Sequence, residues 1–178
     1  MDFSSKTRTE QVLIVMYVLT WIAFIGILIK AGALMVAYGI SVVNPVASSD
    51  LYKGLDLSKL REISFWHYTG FVSMMVFIYA LKAEVLHRVI KIMSKVNLAN
   101  PFTAEVARGL ERISYTLVTL WVAGMLANGH TQWLEKRVGT LPENWATQEF
   151  LFMAGVVFII AHMFKRGVEL QSDADLTV

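Results

Sequence analysis

Residues 12–40 read VLIVMYVLTWIAFIGILIKAGALMVAYGI, 29 positions with one charge, Lys30. A helix crosses the roughly 30 Å hydrocarbon core with about 20 apolar residues at 1.5 Å rise each. This stretch exceeds that length, so a single helix here tilts or carries its last turns into the outer interface, where Lys30 snorkels. The run is also longer than the roughly 7–15 residues of a secretory signal's apolar region. Lys6 and Arg8 precede it and no small-residue cleavage site follows in the usual place, so it is expected to be a retained first span.

Three further apolar runs follow, over residues 63–81, 113–127 and 150–164. None alternates polar and apolar residues as a barrel strand does, and helices are the other structure that satisfies backbone groups in hydrocarbon. The chain has 178 residues, 56% of them hydrophobic and 17% charged, against about 25% charged in soluble domains. Mean hydropathy is +0.53. A water-soluble domain of this length has too little polar surface for such a composition. The expected architecture is therefore all-α and polytopic. It is a single membrane domain over residues 1–178 with four transmembrane helices.

Orientation follows from the basic residues. With the N-terminus inside, the inner segments hold Lys6, Arg8, Lys82, Arg88, Lys91, Lys95, Arg108, Arg112, Lys165 and Arg166. The outer loops hold only Lys53, Lys59, Arg61, Lys136 and Arg137. That excess places both termini in the cytoplasm. Residues 82–112 form a basic amphipathic linker, in which Val85, Leu86, Val89, Ile92, Met93 and Val96 recur at helical spacing opposite the cations. Such a face is attracted to anionic lipid. Within the linker, Asn100 and Pro101 read as a helix start, Asn100 capping and Pro101 at the first position. Residues 165–178 read as a frayed cytoplasmic tail. The first outer loop is expected to be turn-rich with a short surface helix, and Trp133 and Trp145 are expected to be interfacial belt residues. Gly26, Gly32, Gly70, Gly124 and Gly155 are candidates for close helix approach.

Candidate chemistry is sparse. There is no cysteine, which excludes disulfides and thiolate ligation. His130 and Glu135 share a loop, but two groups fall short of the three or four ligands that zinc requires. No H-E-x-x-H, phosphate-cradling glycine loop or acid within a span is present. Neither a catalytic set nor a metal or other cofactor is expected, and the chain is read as non-enzymatic. Lys30 and His162 remain as candidate intramembrane polar residues, which carry the alternative of a small transporter or channel component.

Two motifs carry a family resemblance. Asn100-Pro101-Phe102-Thr103, followed by Arg108, Glu111-Arg112-Ile113 and Tyr115, resembles the central signature of a bacterial membrane family known as domain of unknown function 2975. Phe164-Lys165-Arg166-Gly167-Val168-Glu169-Leu170-Gln171 and the final Asp175-Leu176-Thr177-Val178 resemble its ending. Where this chain has Ser172-Asp173-Ala174 the family usually has more glutamate and asparagine. Its common Arg-Leu-Arg-Arg run is here Arg108-Gly109-Leu110-Glu111-Arg112. The resemblance implies four spans in the bacterial inner membrane and no assigned catalytic activity. Some members are encoded beside small helix-turn-helix regulators, which suggests a cytoplasmic partner of that kind and no direct contact with nucleic acid. The candidate partner-binding residues are Asn100, Pro101, Phe102, Arg108, Arg112, Arg166, Glu169, Gln171 and Asp175. Association of copies into a homo-oligomer is a further expectation.

Overall fold

The computed structural model describes residues 8–96, 101–141, 145 and 148–176, with side chains as far as Asp173. Helix α1 spans Arg8–Val43, a 3-10 turn spans Pro45–Ser49, and α2 covers Ser58–Ile63. Then come α3 over Phe65–Met93, α4 over Ala104–Val138 and α5 over Gln148–Leu176. Among the described residues there is no strand.

The apolar runs at 12–40, 113–127 and 150–164 each lie inside one long helix, while the run at 63–81 begins at the last residue of α2 and continues in α3 from Phe65. Polar signals mark the helix ends. Ser64 caps α3 by accepting from the His67 N–H. Gly139, at φ 87°, terminates α4 in a backbone conformation that side chains with a Cβ resist. The start of α4 corrects the sequence expectation. Thr103, not Asn100, is the cap: its hydroxyl accepts from the Val106 N–H at 3.3 Å. Pro101 stands before the helix, its carbonyl accepting from the Thr103 N–H. Asn100 lies outside the described residues.

Helices α1, α3 and α5 are long and apolar enough to cross a membrane. Helix α4 has the length, at 35 residues, but its apolar run accounts for only its middle. Fifteen residues rise about 22 Å, short of the hydrocarbon thickness. Charges close in on both sides, with Glu105, Arg108, Glu111 and Arg112 before the run and Glu135, Lys136 and Arg137 after it.

Consecutive long helices pack side by side, α1 on α3, α3 on α4 and α4 on α5. Helices α1 and α5 make no close backbone approach, so the helices form an open row rather than a closed ring. Neighbours run in opposite directions. Down the α1–α3 seam come Ser41 with Tyr68 at 2.5 Å, Tyr38 with Thr69 at 2.9 Å, Lys30 over the Tyr79 ring and Phe24 beside His87. The start of α1, the end of α3, the start of α4 and the final turns of α5 therefore lie at one end. We call this the charged end and the opposite one the loop end.

The main core sits at the loop end. Leu34, Tyr68, Phe71, Met75, Leu120 and Leu134 pack there with Leu51, Leu55, Leu57 and Leu60 from the α1–α3 connection. The connection is thus not a surface loop. Its leucines fill the space between the helices, and burying each stabilises the fold by roughly 1.5–3 kcal/mol. Trp145 is likewise no belt residue. It is buried with its ring edge-on to Phe71, its Nε1 donates to Thr131 Oγ1 at 2.9 Å, and its carbonyl accepts from Asn128. Burial is tolerated because both polar groups are bonded. Trp133 does stay at the surface, beneath the Arg137 guanidinium.

The glycine expectation also changes. At Gly26, Gly32, Gly70 and Gly155 an added Cβ meets nothing within 4 Å. Close approach occurs instead at Gly109, where an added Cβ would stand 2.8 Å from Ile92 Cγ1, and at Gly167, where it would stand 2.6 Å from Phe102 Cδ1. Residues 165–176 are not frayed: α5 continues to Leu176.

Candidate functional site

The charged end holds two grooves, one on each flank of α4. The first lies between α3 and α4 and encloses about 720 Å³. Glu84, Arg88, Lys91 and Lys95 enter it from α3 at spacings of four, three and four, which put them on one helical stripe. Glu105, Arg108 and Arg112 face them from α4 at spacings of three and four. Ile92 and Gly109 bring the two helices together within the groove. Five cations line it against two carboxylates, and both carboxylates are engaged: Glu84 with Arg88 at 2.7 Å, and Glu105 with Lys95. Among the described residues Lys91, Arg108 and Arg112 have no ion pair. The hydrogen bond from Lys95 holds the Glu105 carboxyl below the usual carboxylate range, helped by the charges of Lys95, Lys91 and Arg108. Glu105 also stands in the first turn of α4, where a negative charge suits the helix dipole.

The second groove, between α4 and α5, encloses about 470 Å³. Small residues line it, Ala104 and Ala107 on α4 and Ala161 on α5. Its charges have both signs, Arg108 and Lys165 with Glu111 and Glu169. Nearby, Phe102 closes the angle between the helices. Its ring lies 5.2 Å from that of Phe164 and rests on Gly167, where no Cβ intervenes.

Most of the described candidate residues converge here. Phe102 anchors the junction, Arg108 lines both grooves, and Arg112 lines the first. Arg166 and Glu169 form an ion pair at 2.8 Å on α5. Gln171 is half-buried farther along that helix, and the side chain of Asp175 lies outside the described residues. Glu111 accepts from the Tyr115 hydroxyl one turn along α4 at 3.2 Å.

The two intramembrane candidates are far apart in role. Lys30 lies over the Tyr79 ring at 4.5 Å, in a small pocket with Tyr52, Lys53, Gly54 and Leu55 of the folded-in connection. His162 is exposed, with Nδ1 3.1 Å from the Phe158 carbonyl of its own helix, and it lines the α4–α5 groove. Lys30 and His162 thus line two separate pockets, one against the folded-in connection and one between α4 and α5.

The model of a family described as "Protein of unknown function (DUF2975)" matches residues 11–178. The chain belongs to that family. No curated protein and no solved structure matches it. The two motifs that carry the resemblance, some fifty residues apart in sequence, touch through Phe102 and Gly167. Sequence reasoning named the basic stripe of α3 and the motif of α4 separately. It missed that they form opposite walls of one groove, and it missed both glycine seats. The repeated three- and four-residue spacing of charges in 84–95 and 105–112 was the available signal.

Proposed function

We propose that the chain is a non-enzymatic, four-span protein of the bacterial inner membrane with both termini in the cytoplasm. Its α4–α5 groove receives an amphipathic helix from a small cytoplasmic protein, a helix-turn-helix regulator being the expected kind. The observation that carries this reading is the groove itself. Small alanines admit a helix closely, and charges of both signs fix its register. Helix α4 serves as the fourth span because α3 and α5 cover its flanks, so less of it needs to be lipid-compatible. The alternating directions gather the cations of α3, α4 and α5 at one end, and the positive-inside bias turns that end to the cytoplasm.

The chain has no cysteine, so single substitutions report topology directly. An impermeant thiol reagent applied to intact cells is expected to label Ser49→Cys and to reach Ser94→Cys and Ser172→Cys only after permeabilisation. Finding Ser94→Cys and Ser172→Cys on opposite sides would overturn the four-span arrangement. A small DNA-binding regulator is expected to co-purify from membranes and to be lost when the last twelve residues are removed. Recovery of no such protein, or equal recovery with the truncated chain, counts against the docking role.

A further inference from the structure

We infer that the α3–α4 groove is a binding site for the phosphate-bearing headgroup of an anionic phospholipid in the leaflet at the charged end. The inference rests on the membrane reading above but concerns a different groove from the one assigned to a protein partner.

The charge balance comes first. Lys95 and Arg88 each hold a carboxylate, so the groove's acids are spent within the chain. Lys91, Arg108 and Arg112 remain as cations around the same space, and the Nε of Arg88 is shielded from water with no hydrogen-bond partner. Guanidinium groups and an ammonium around a polar cavity suit phosphate oxygens, which accept from forked donors.

The surroundings choose a lipid over a soluble anion. His87 is part of the groove lining, and its ring lies 5.9 Å from that of Phe24 on α1. From that level α1 continues toward its N-terminal end with Val12, Val15, Met16, Val18, Leu19 and Ile22 each about half exposed or more. An exposed apolar face of that extent requires cover. Hydrocarbon that covers it reaches the depth of the groove. A headgroup seated among the cations therefore has apolar helix surface beside it for its acyl chains, which a free phosphate compound does not use.

The test uses the full chain, purified in neutral detergent. Binding of phosphatidylglycerol and of phosphatidylcholine with the same acyl chains is compared by native mass spectrometry. Phosphatidylglycerol is expected to bind more tightly. The combined Lys91→Gln, Arg108→Gln and Arg112→Gln variant is expected to lose affinity by on the order of a hundredfold. Lys136→Gln with Arg137→Gln, at the other end, is expected to bind as the parent does. If the triple variant does not fold, the single exposed Lys91→Gln is expected to weaken binding and Lys91→Arg to retain it. Equal binding of the two lipids, or full binding by the variants, overturns the site. Glycerol phosphate or inorganic phosphate binding as tightly as the lipid, and displacing it, reassigns the groove to a soluble anion and overturns the lipid. This measurement does not depend on sidedness. Failure of the cysteine-labelling pattern with lipid binding intact would reject the topology alone.

Discussion

The two ends of the helix row are held by different forces. At the loop end the cross-links are neutral and buried: Ser41 with Tyr68, Trp145 with Thr131, and four leucines of the connection set among the helices. At the charged end the helices are joined by Lys95 with Glu105 and by two glycine seats, and grooves remain on both flanks of α4. The first arrangement resists opening. The second leaves unpaired charge and accessible volume, which are what a ligand needs. Close neutral packing and open charged grooves are thus divided along one bundle, and changes at each end should fail in different ways.

The largest effect is expected from Trp145→Ala. The substitution removes a buried indole, leaves a cavity against Phe71 and strips Thr131 of its donor. Loss of about 3–5 kcal/mol is expected from such a truncation. Denaturant titration in detergent measures it, and the loss should be insensitive to salt because no charge is involved. A change below 1 kcal/mol, on the scale of ordinary surface substitutions, would mean that the loop end is not the stabilising end.

Gly167→Ala comes next, and its sign depends on Phe102. Alanine in place of glycine within a helix is favourable by about 1 kcal/mol. Here the new Cβ would stand 2.6 Å from Phe102 Cδ1 and 2.9 Å from Cγ. Rotating the ring about its own axis cannot move Cγ away, so Phe102 must shift as a whole. Overpacking of this kind costs about 1–3 kcal/mol, which outweighs the propensity gain. In a Phe102→Ala background the clash is gone and the same substitution should stabilise. A double-mutant cycle by thermal denaturation reads this reversal. Additive effects would show that the two motifs do not touch.

Much of this was written in the chain, and the gaps have physical causes. Apolar runs are local, so the four long helices and the continuation of α3 through its basic stripe could be read directly. The start of α4 was misplaced because Asn100 and Thr103 both carry capping oxygens and Pro101 fits either. Only the hydrogen bond to Val106 decides between them. Leu51, Leu55, Leu57 and Leu60 follow no helical or strand period through a turn-rich segment. Their burial is fixed by helices distant in sequence. The glycines that matter are likewise known only once their partners, Ile92 and Phe102, are placed. The candidate site was legible as charge and motif, while its shape depended on pairing.

The smallest effect concerns the Lys95–Glu105 link. Both side chains are exposed, so salt screens the pair and its contribution is slight. Its sign is nevertheless definite. The Glu105 carboxyl is lowered in the folded chain, chiefly by the hydrogen bond from Lys95. The stabilisation it gives is present above the ordinary carboxylate range and is lost as the pH falls through the depressed folded value. Glu105→Gln removes the titrating group, so the gap in melting temperature between parent and variant should narrow on acidification. The gap should also shrink in high salt, whereas that of Trp145→Ala should not. Should the Glu105→Gln gap persist unchanged at acid pH and in high salt, the charged end would be held by packing alone, and the contrast between the two ends would fail.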